Sequence, residues 1–235
     1  MTTASETPIG VTDMLTTQLA FLAFRPARIA VKRDFWRWFT FVLLVTWLAG
    51  VGRYWDHPDA APWQYLGLGS VAYIFCLSIV LYLIVAPLRP SNWTLPGVLV
   101  FVGLTSLPAL LYAIPVERFV ALQTAQSMNA WFLGVVATWR VALLFRYLTS
   151  AAKLPWLVVI IAAVMLLTGI VFSLALLNLE HVVFDLMAGI REENAGPNDA
   201  AYLIVVGLAG LSFYAFPLSI VCYLAAIFLR RYSQR

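Results

Sequence analysis

Six long apolar runs separated by short polar segments dominate the chain. The hydrocarbon core of a bilayer is about 30 Å thick, and a helix needs about 20 mostly apolar residues to cross it. Each run meets this length, which predicts an all-α polytopic membrane helix bundle with six transmembrane helices. The predicted spans are residues 36–54, 65–88, 95–115, 127–148, 154–178 and 200–229.

Two of these spans have features that are not typical of a straight helix. The third contains Pro96, Gly97, Gly103 and Pro108, which predicts an irregular helix. The sixth is roughly 30 residues long, which corresponds to about 45 Å of helix. It therefore has to tilt, kink near Pro217 or extend beyond the bilayer.

The third and sixth spans also share a sequence pattern. GLTSLPALLYAIP at 103–115 and GLAGLSFYAFP at 207–217 both contain Gly-Leu-x-x-Leu followed by Tyr-Ala-x-Pro. Three spans per half would make the halves inverted, an arrangement in which helices broken by Gly and Pro mark a substrate site. Chance similarity between two apolar segments is the alternative explanation.

Composition and charge refine the membrane assignment. The chain is 63% hydrophobic and 11% charged, whereas soluble domains have roughly 45–50% apolar and about 25% charged residues. Eleven Lys and Arg residues lie around the start of the first span or near the segments that follow the second, fourth and sixth spans. Only three lie in or beside the alternate loops. Because cytoplasmic loops are enriched in Lys and Arg, we expect both termini to be cytoplasmic.

The preference for Arg over Lys favours a bacterial origin. We therefore expect a multi-pass protein of the bacterial cytoplasmic (inner) membrane. The net charge of +4 is explained by the cytoplasmic loops and does not indicate nucleic-acid binding.

Residues 1–35 form a predicted cytoplasmic arm, ahead of a six-span domain at 36–229 and a basic tail at 230–235. Met14, Leu15, Leu19 and Leu22 recur at helical spacing, which predicts an interfacial amphipathic helix. The basic residues of the arm and of the start of the first span are Arg25, Arg28, Lys32, Arg33 and Arg37. Each of these basic residues can contribute about 1 kcal/mol of attraction to anionic lipid. The alternative interpretation is that they serve only to set the topology of the chain.

A second polar segment, 180–199, lies between the fifth and sixth spans. Val182, Val183, Leu186 and Ile190 lie on one stripe of a helix. The pattern predicts a short helix on the extracytoplasmic surface.

Aromatic residues concentrate near the ends of the predicted spans, where Trp and Tyr are enriched in membrane proteins. We interpret this set as membrane-interface anchors. It comprises Trp36, Trp38, Trp55, Trp63, Trp93, Trp156, Tyr54, Tyr65 and Tyr147.

The candidate metal ligands are His57, His181 and Asp185, which fall in the predicted extracytoplasmic loops. Imidazole and carboxylate are donors that Zn²⁺ accepts. No HExxH motif, nucleophile elbow, P-loop or dinucleotide fingerprint accompanies them. A hydrated polar rim is the alternative interpretation, and we expect no cofactor.

Arg140 lies near the middle of the fourth span, where an arginine costs roughly 2.5–3.5 kcal/mol to insert. It forms a candidate lipid or anion site with Arg146 and Asn129, or its side chain extends to the cytoplasmic face. The six apolar runs contain no Asp or Glu. This absence disfavours an ion-coupled carrier, because such proteins usually place carboxylates at membrane depth.

The segment Phe24-Arg25-Pro26, the basic stretch after it and a compact bundle of five or six spans resemble bacterial members of the Yip1-domain group. The resemblance is architectural and covers most of the chain, although a sixth span departs from the usual five. It implies a membrane-organising or trafficking-like protein without established catalysis. No functional residue is carried over.

These observations favour a non-enzymatic integral membrane protein that acts in membrane organisation or assembly. Its expected partners are the bilayer, anionic lipids and either a protein partner or a second copy of the chain. A small transporter or lipid-handling protein with an anionic ligand near Arg140 is one alternative. An extracytoplasmic metal-dependent membrane enzyme that uses His57 and His181 is the other.

Overall fold

A computed structural model of the chain describes residues 9–27, 29–55, 61–177 and 200–233. Every regular element in these residues is a helix. Six of these helices are long and apolar enough to cross a membrane, which confirms the predicted all-α fold with six helices of spanning length. They are Val31–Tyr54, Leu68–Leu88, Leu95–Ala113, Ser127–Ser150, Trp156–Leu176 and Val206–Tyr232.

The α-helices among these residues are α1 (Val11–Leu22), α2 (Val31–Tyr54), α3 (Pro62–Tyr65), α4 (Leu68–Val85), α5 (Leu95–Leu104), α6 (Leu122–Ser150), α7 (Trp156–Leu176) and α8 (Ala200–Ser233). Short 3₁₀ helices cover Ala86–Leu88, Leu107–Ala113 and Val116–Arg118. The chain divides into two compact units. Unit 1 comprises Met1–Ile79 and Thr94–Leu110, and unit 2 comprises Val80–Trp93 and Leu111–Arg235.

Unit 1 is built on close packing between α2 and α5. Trp38, Val42 and Thr46 recur every four residues along α2 and are all buried, so they form one continuous face. Gly103 of α5 lies against this face, where a Cβ atom would come within 2.6 Å of the Cβ of Val42. Trp38, expected at the membrane interface, is instead fully buried.

The third span is broken, as its prolines and glycines predict. The Thr94 hydroxyl accepts a hydrogen bond from the Gly97 amide at the start of α5. The helix ends at Leu104, four residues before Pro108. Proline has no N–H to donate to the carbonyl of Leu104, and the chain continues as the 3₁₀ helix Leu107–Ala113.

Helix α1 forms where the arm predicts a helix, but its buried face differs from the predicted stripe. Gln18 and Phe21 are buried together with Met14 and Leu22, whereas Leu15 and Leu19 are exposed. The reason is packing against α5, where the rings of Phe21 and Phe101 meet edge to face at 6.0 Å. An interfacial location for α1 stays a prediction, as does the division into arm, membrane domain and tail.

Unit 2 is organised around the pairing of α7 with α8. The ring of Phe172 lies 5.2 Å from that of Phe213 and 4.9 Å from that of Phe216. One turn away, the hydroxyls of Thr168 and Ser219 are 3.2 Å apart. These contacts fix the register of the two helices.

Helix α8 has 34 residues and contains Pro217. Its length of about 50 Å exceeds the hydrocarbon core, as the sixth apolar run predicts. Residues 207–217 lie within this continuous helix, whereas 103–115 contain the break after α5. The two segments with matching sequence therefore have different backbone conformations.

Candidate lipid-binding groove

Two loops of unit 2 are fixed to each other by backbone and aromatic contacts. The amide of Ser91 donates to the carbonyl of Ala152 at 2.9 Å. The indole N–H of Trp93 donates to the carbonyl of Tyr82, and its ring stacks parallel to the Tyr82 ring at 6.4 Å. The same indole lies 5.8 Å from the ring of Tyr147. Residues 89–93 are therefore held against both α4 and α6.

The C-terminal part of α8 reaches the same place. The hydroxyl of Tyr223 donates to the carbonyl of Ile84 at 2.6 Å. Further along α8, Nη2 of Arg230 lies 3.4 Å from the carbonyl oxygen of Arg89. We call the group formed by Arg89, Lys153, Arg230 and Arg231 the basic end of unit 2.

The charge at the basic end has no acidic counterpart nearby in sequence. Residues 60–116, 118–179 and 200–235 contain no Asp or Glu. Arg89 and Lys153 have left-handed backbones, with φ of 51° and 52°. Such conformations are strained in residues other than glycine and persist only where the surrounding contacts enforce them. The loops thus fix the backbone at Arg89 and Lys153, and the side chains of both residues are exposed.

A groove of about 500 Å³ runs between α7 and α8 and includes Arg230 at the basic end. Its volume lies within the range of small-molecule pockets in proteins. The small side chains of Ala225 and Ala226 leave this space open. The groove is lined by Pro155, Leu157, Val158, Ile161, Cys222, Ala225, Ala226, Leu229 and Arg230.

Arg230 has an unusual environment for a cation. Its Nε atom is buried and has no hydrogen-bond partner among the described residues. A buried N–H of a guanidinium group is costly without an acceptor. The arrangement can accept an anionic oxygen at Arg230 and an apolar chain along α7 and α8.

Arg140, Arg146 and Asn129, the predicted anion site, all lie on α6 and are half-buried. Each already interacts with another group of the protein. Asn129 and Arg140 are about 16 Å apart along the helix axis, and Arg146 lies about 9 Å beyond Arg140 on a different side. The structure does not gather the three into one compact site, and a ligand near Arg140 stays a prediction.

Of the five predicted basic residues of the arm, two that the structure describes have contacts with other protein groups that fix their side chains. Arg33 pairs with Asp34 at 3.0 Å, and Arg37 donates to the carbonyl of Ile9 at 3.1 Å. Arg25 and Lys32 are exposed. Arg28 lies outside the described residues, and attraction of this arm to lipid stays a prediction.

The other sequence-predicted features fall outside the part of the chain that the structure describes. These are His57, His181, Asp185 and the surface helix expected within 180–199. A metal site there stays a prediction.

The sequence alone indicates only a topological role for Arg230 and does not reveal the groove. The available signal was the Ala225–Ala226 pair, which introduces small residues just before the basic tail. Comparison with protein-family models, with curated proteins and with solved structures gave no match. The resemblance to the Yip1-domain group therefore stays a prediction.

Proposed function

We propose that this chain is a non-enzymatic membrane protein that binds an anionic lipid in the groove between α7 and α8. One observation carries the proposal: an apolar groove of about 500 Å³ includes Arg230, whose Nε is buried without a partner among the described residues. Apolar side chains suit an acyl chain. A guanidinium group suits a phosphate, with which it forms charge-assisted hydrogen bonds.

The surrounding charge supports this ligand class. Arg89, Lys153 and Arg231 add to the positive field at the basic end. Basic pockets at the cytoplasmic side of membrane proteins bind anionic headgroups. In our proposal the basic end faces the cytoplasm of a bacterial cell, both termini lie on that side, and lipid binding serves membrane organisation or assembly.

Arg230→Ala should lower the retention of phosphatidylglycerol by at least about tenfold. The reason is that a hydrogen bond to a charged group contributes roughly 1.5–3 kcal/mol, and 1.4 kcal/mol is a factor of ten in affinity. The measurement is native mass spectrometry of detergent-purified protein titrated with phosphatidylglycerol, with phosphatidylcholine as the zwitterionic comparison. Arg118→Ala is the matched control, because Arg118 is exposed and does not line the groove.

A second variant tests the apolar part of the groove. Ala225→Trp places a large side chain in the space for the acyl chain while leaving every basic residue in place. We expect it to reduce retention as well. Wild-type retention in both Arg230→Ala and Ala225→Trp, or equal retention of phosphatidylcholine by the unaltered protein, would contradict the proposal.

A further inference from the structure

The break in the third span gathers neutral oxygen atoms inside unit 1. Thr46 of α2 and Ser106, just after α5, have their hydroxyl oxygens 3.0 Å apart. Gln18 of α1 reaches the same break, where its Nε2 donates to the carbonyl of Leu104 at 3.0 Å. Gln18, Thr46 and Ser106 are all buried. Helices α1 and α2 and the end of α5 thus each place a buried polar side chain at the break, and we call these three residues the polar cluster.

The hydroxyl protons of Thr46 and Ser106 are already used in hydrogen bonds. The Thr46 hydroxyl donates to Ser106, and the Ser106 hydroxyl donates to the carbonyl of Gly103 at 2.6 Å. The amide N–H of Gln18 is directed to the carbonyl that Pro108 leaves without a helical donor. The oxygen atoms at the break keep lone pairs that can accept further contacts.

One of these oxygens indicates a ligand. The Oε1 atom of Gln18 is buried, in a residue with 0% exposure, and has no hydrogen-bond partner among the described residues. Since the Nε2 atom of the same planar amide is fixed at Leu104, Oε1 is also held at the break. A buried acceptor of this kind favours an electropositive occupant.

We propose that the break binds an alkali-metal cation, with Oε1 of Gln18, Oγ1 of Thr46 and carbonyl oxygens at the end of α5 as ligands. The C-terminal end of a helix carries partial negative charge. Broken membrane helices use such ends, with unwound carbonyls, to coordinate Na⁺.

The donor set selects a monovalent ion. Ca²⁺ and Mg²⁺ sites use carboxylates, whereas the described acids of unit 1 are Asp13 and Asp34. Asp13 accepts from the Gly10 amide, and Asp34 pairs with Arg33. Neither contributes to the cluster, which consists of neutral oxygens. This site lies in unit 1 and is independent of the lipid groove in unit 2.

The test compares thermal unfolding of the detergent-purified full chain in NaCl and in choline chloride at equal ionic strength. A ligand that binds only the folded state raises its stability, and choline is too large for a site between packed helices. We expect Na⁺ to raise the unfolding midpoint of the wild type. In Thr46→Val, the apparent Kd for Na⁺ obtained by titration should rise on the order of tenfold.

Thr168→Val is the matched control, because Thr168 also pairs with a serine hydroxyl but belongs to unit 2. It should keep the full response to Na⁺. In Gln18→Leu, Na⁺ should no longer raise the unfolding midpoint. This variant tests the proposal if Thr46→Val does not fold. Equal midpoints of the wild type in NaCl and choline chloride would overturn the proposal, as would an undiminished response in Gln18→Leu.

Discussion

Gly67→Ala should destabilise the protein by about 2–5 kcal/mol. Gly67 has φ of +65°, and a Cβ atom there would lie 2.8 Å from both the carbonyl oxygen of Trp47 and the amide nitrogen of Val51. A left-handed backbone costs roughly 1–2 kcal/mol in other residues, and overpacking adds typically 1–3 kcal/mol. The indole of Trp47 also bonds to the carbonyl of Leu66, which fixes the turn in place.

The measurement is the thermal unfolding midpoint in detergent. Gly207→Ala is the control, because apart from its chain neighbours and the adjacent backbone of its own helix, no described atom lies within 4 Å of the added methyl group. Alanine is favoured over glycine in a helix by up to about 1 kcal/mol, so this control should unfold at or above the wild-type temperature. Equal midpoints for the two variants would contradict the close approach of α2 to the turn at Gly67.

Trp93→Ala should cost about 2–4 kcal/mol, somewhat less than truncation of a fully buried tryptophan. It removes ring contacts to Tyr82 and Tyr147 and the hydrogen bond to the carbonyl of Tyr82. Because these contacts hold residues 89–93, lipid retention at the basic end should fall together with stability.

Chemical or thermal unfolding and native mass spectrometry on the same preparation measure both effects. Trp131→Ala is the matched control, since the side chain of Trp131 is 73% exposed. It should unfold close to the wild-type temperature and keep its lipid. If Trp131→Ala were as damaging as Trp93→Ala, the two losses would reflect general removal of aromatic surface.

The six spans were predictable because each is specified within a single run of about 20 apolar residues. The break in the third span was predictable for a similar local reason, since Pro108 removes the donor for Leu104. The buried side of α1 was not predictable, because Leu15 and Leu19 are as apolar as the buried Met14 and Leu22, and the polar Gln18 is buried with them. Trp38 likewise resembles an interface anchor in sequence and is distinguished only by its packing in the core.

Neither proposed site was visible as a motif. The groove is formed by residues near 155–161 and 222–230, and only the pairing of α7 with α8 brings them together. The cluster at the third-span break consists of uncharged Gln18, Thr46 and Ser106. Ionisable residues at membrane depth are the usual sequence sign of a functional site in a membrane protein, and this set contains none.

Photo-crosslinking tests the central claim, that the groove between α7 and α8 holds an anionic lipid. Phosphatidylglycerol with a diazirine in its acyl chain is crosslinked to the protein in bilayers, and the labelled peptides are mapped by mass spectrometry. We predict labels concentrated at residues 155–161 and 222–230, reduced by competing phosphatidylglycerol but not by phosphatidylcholine. Labels spread over all exposed span surfaces, or equal competition by phosphatidylcholine, would contradict it.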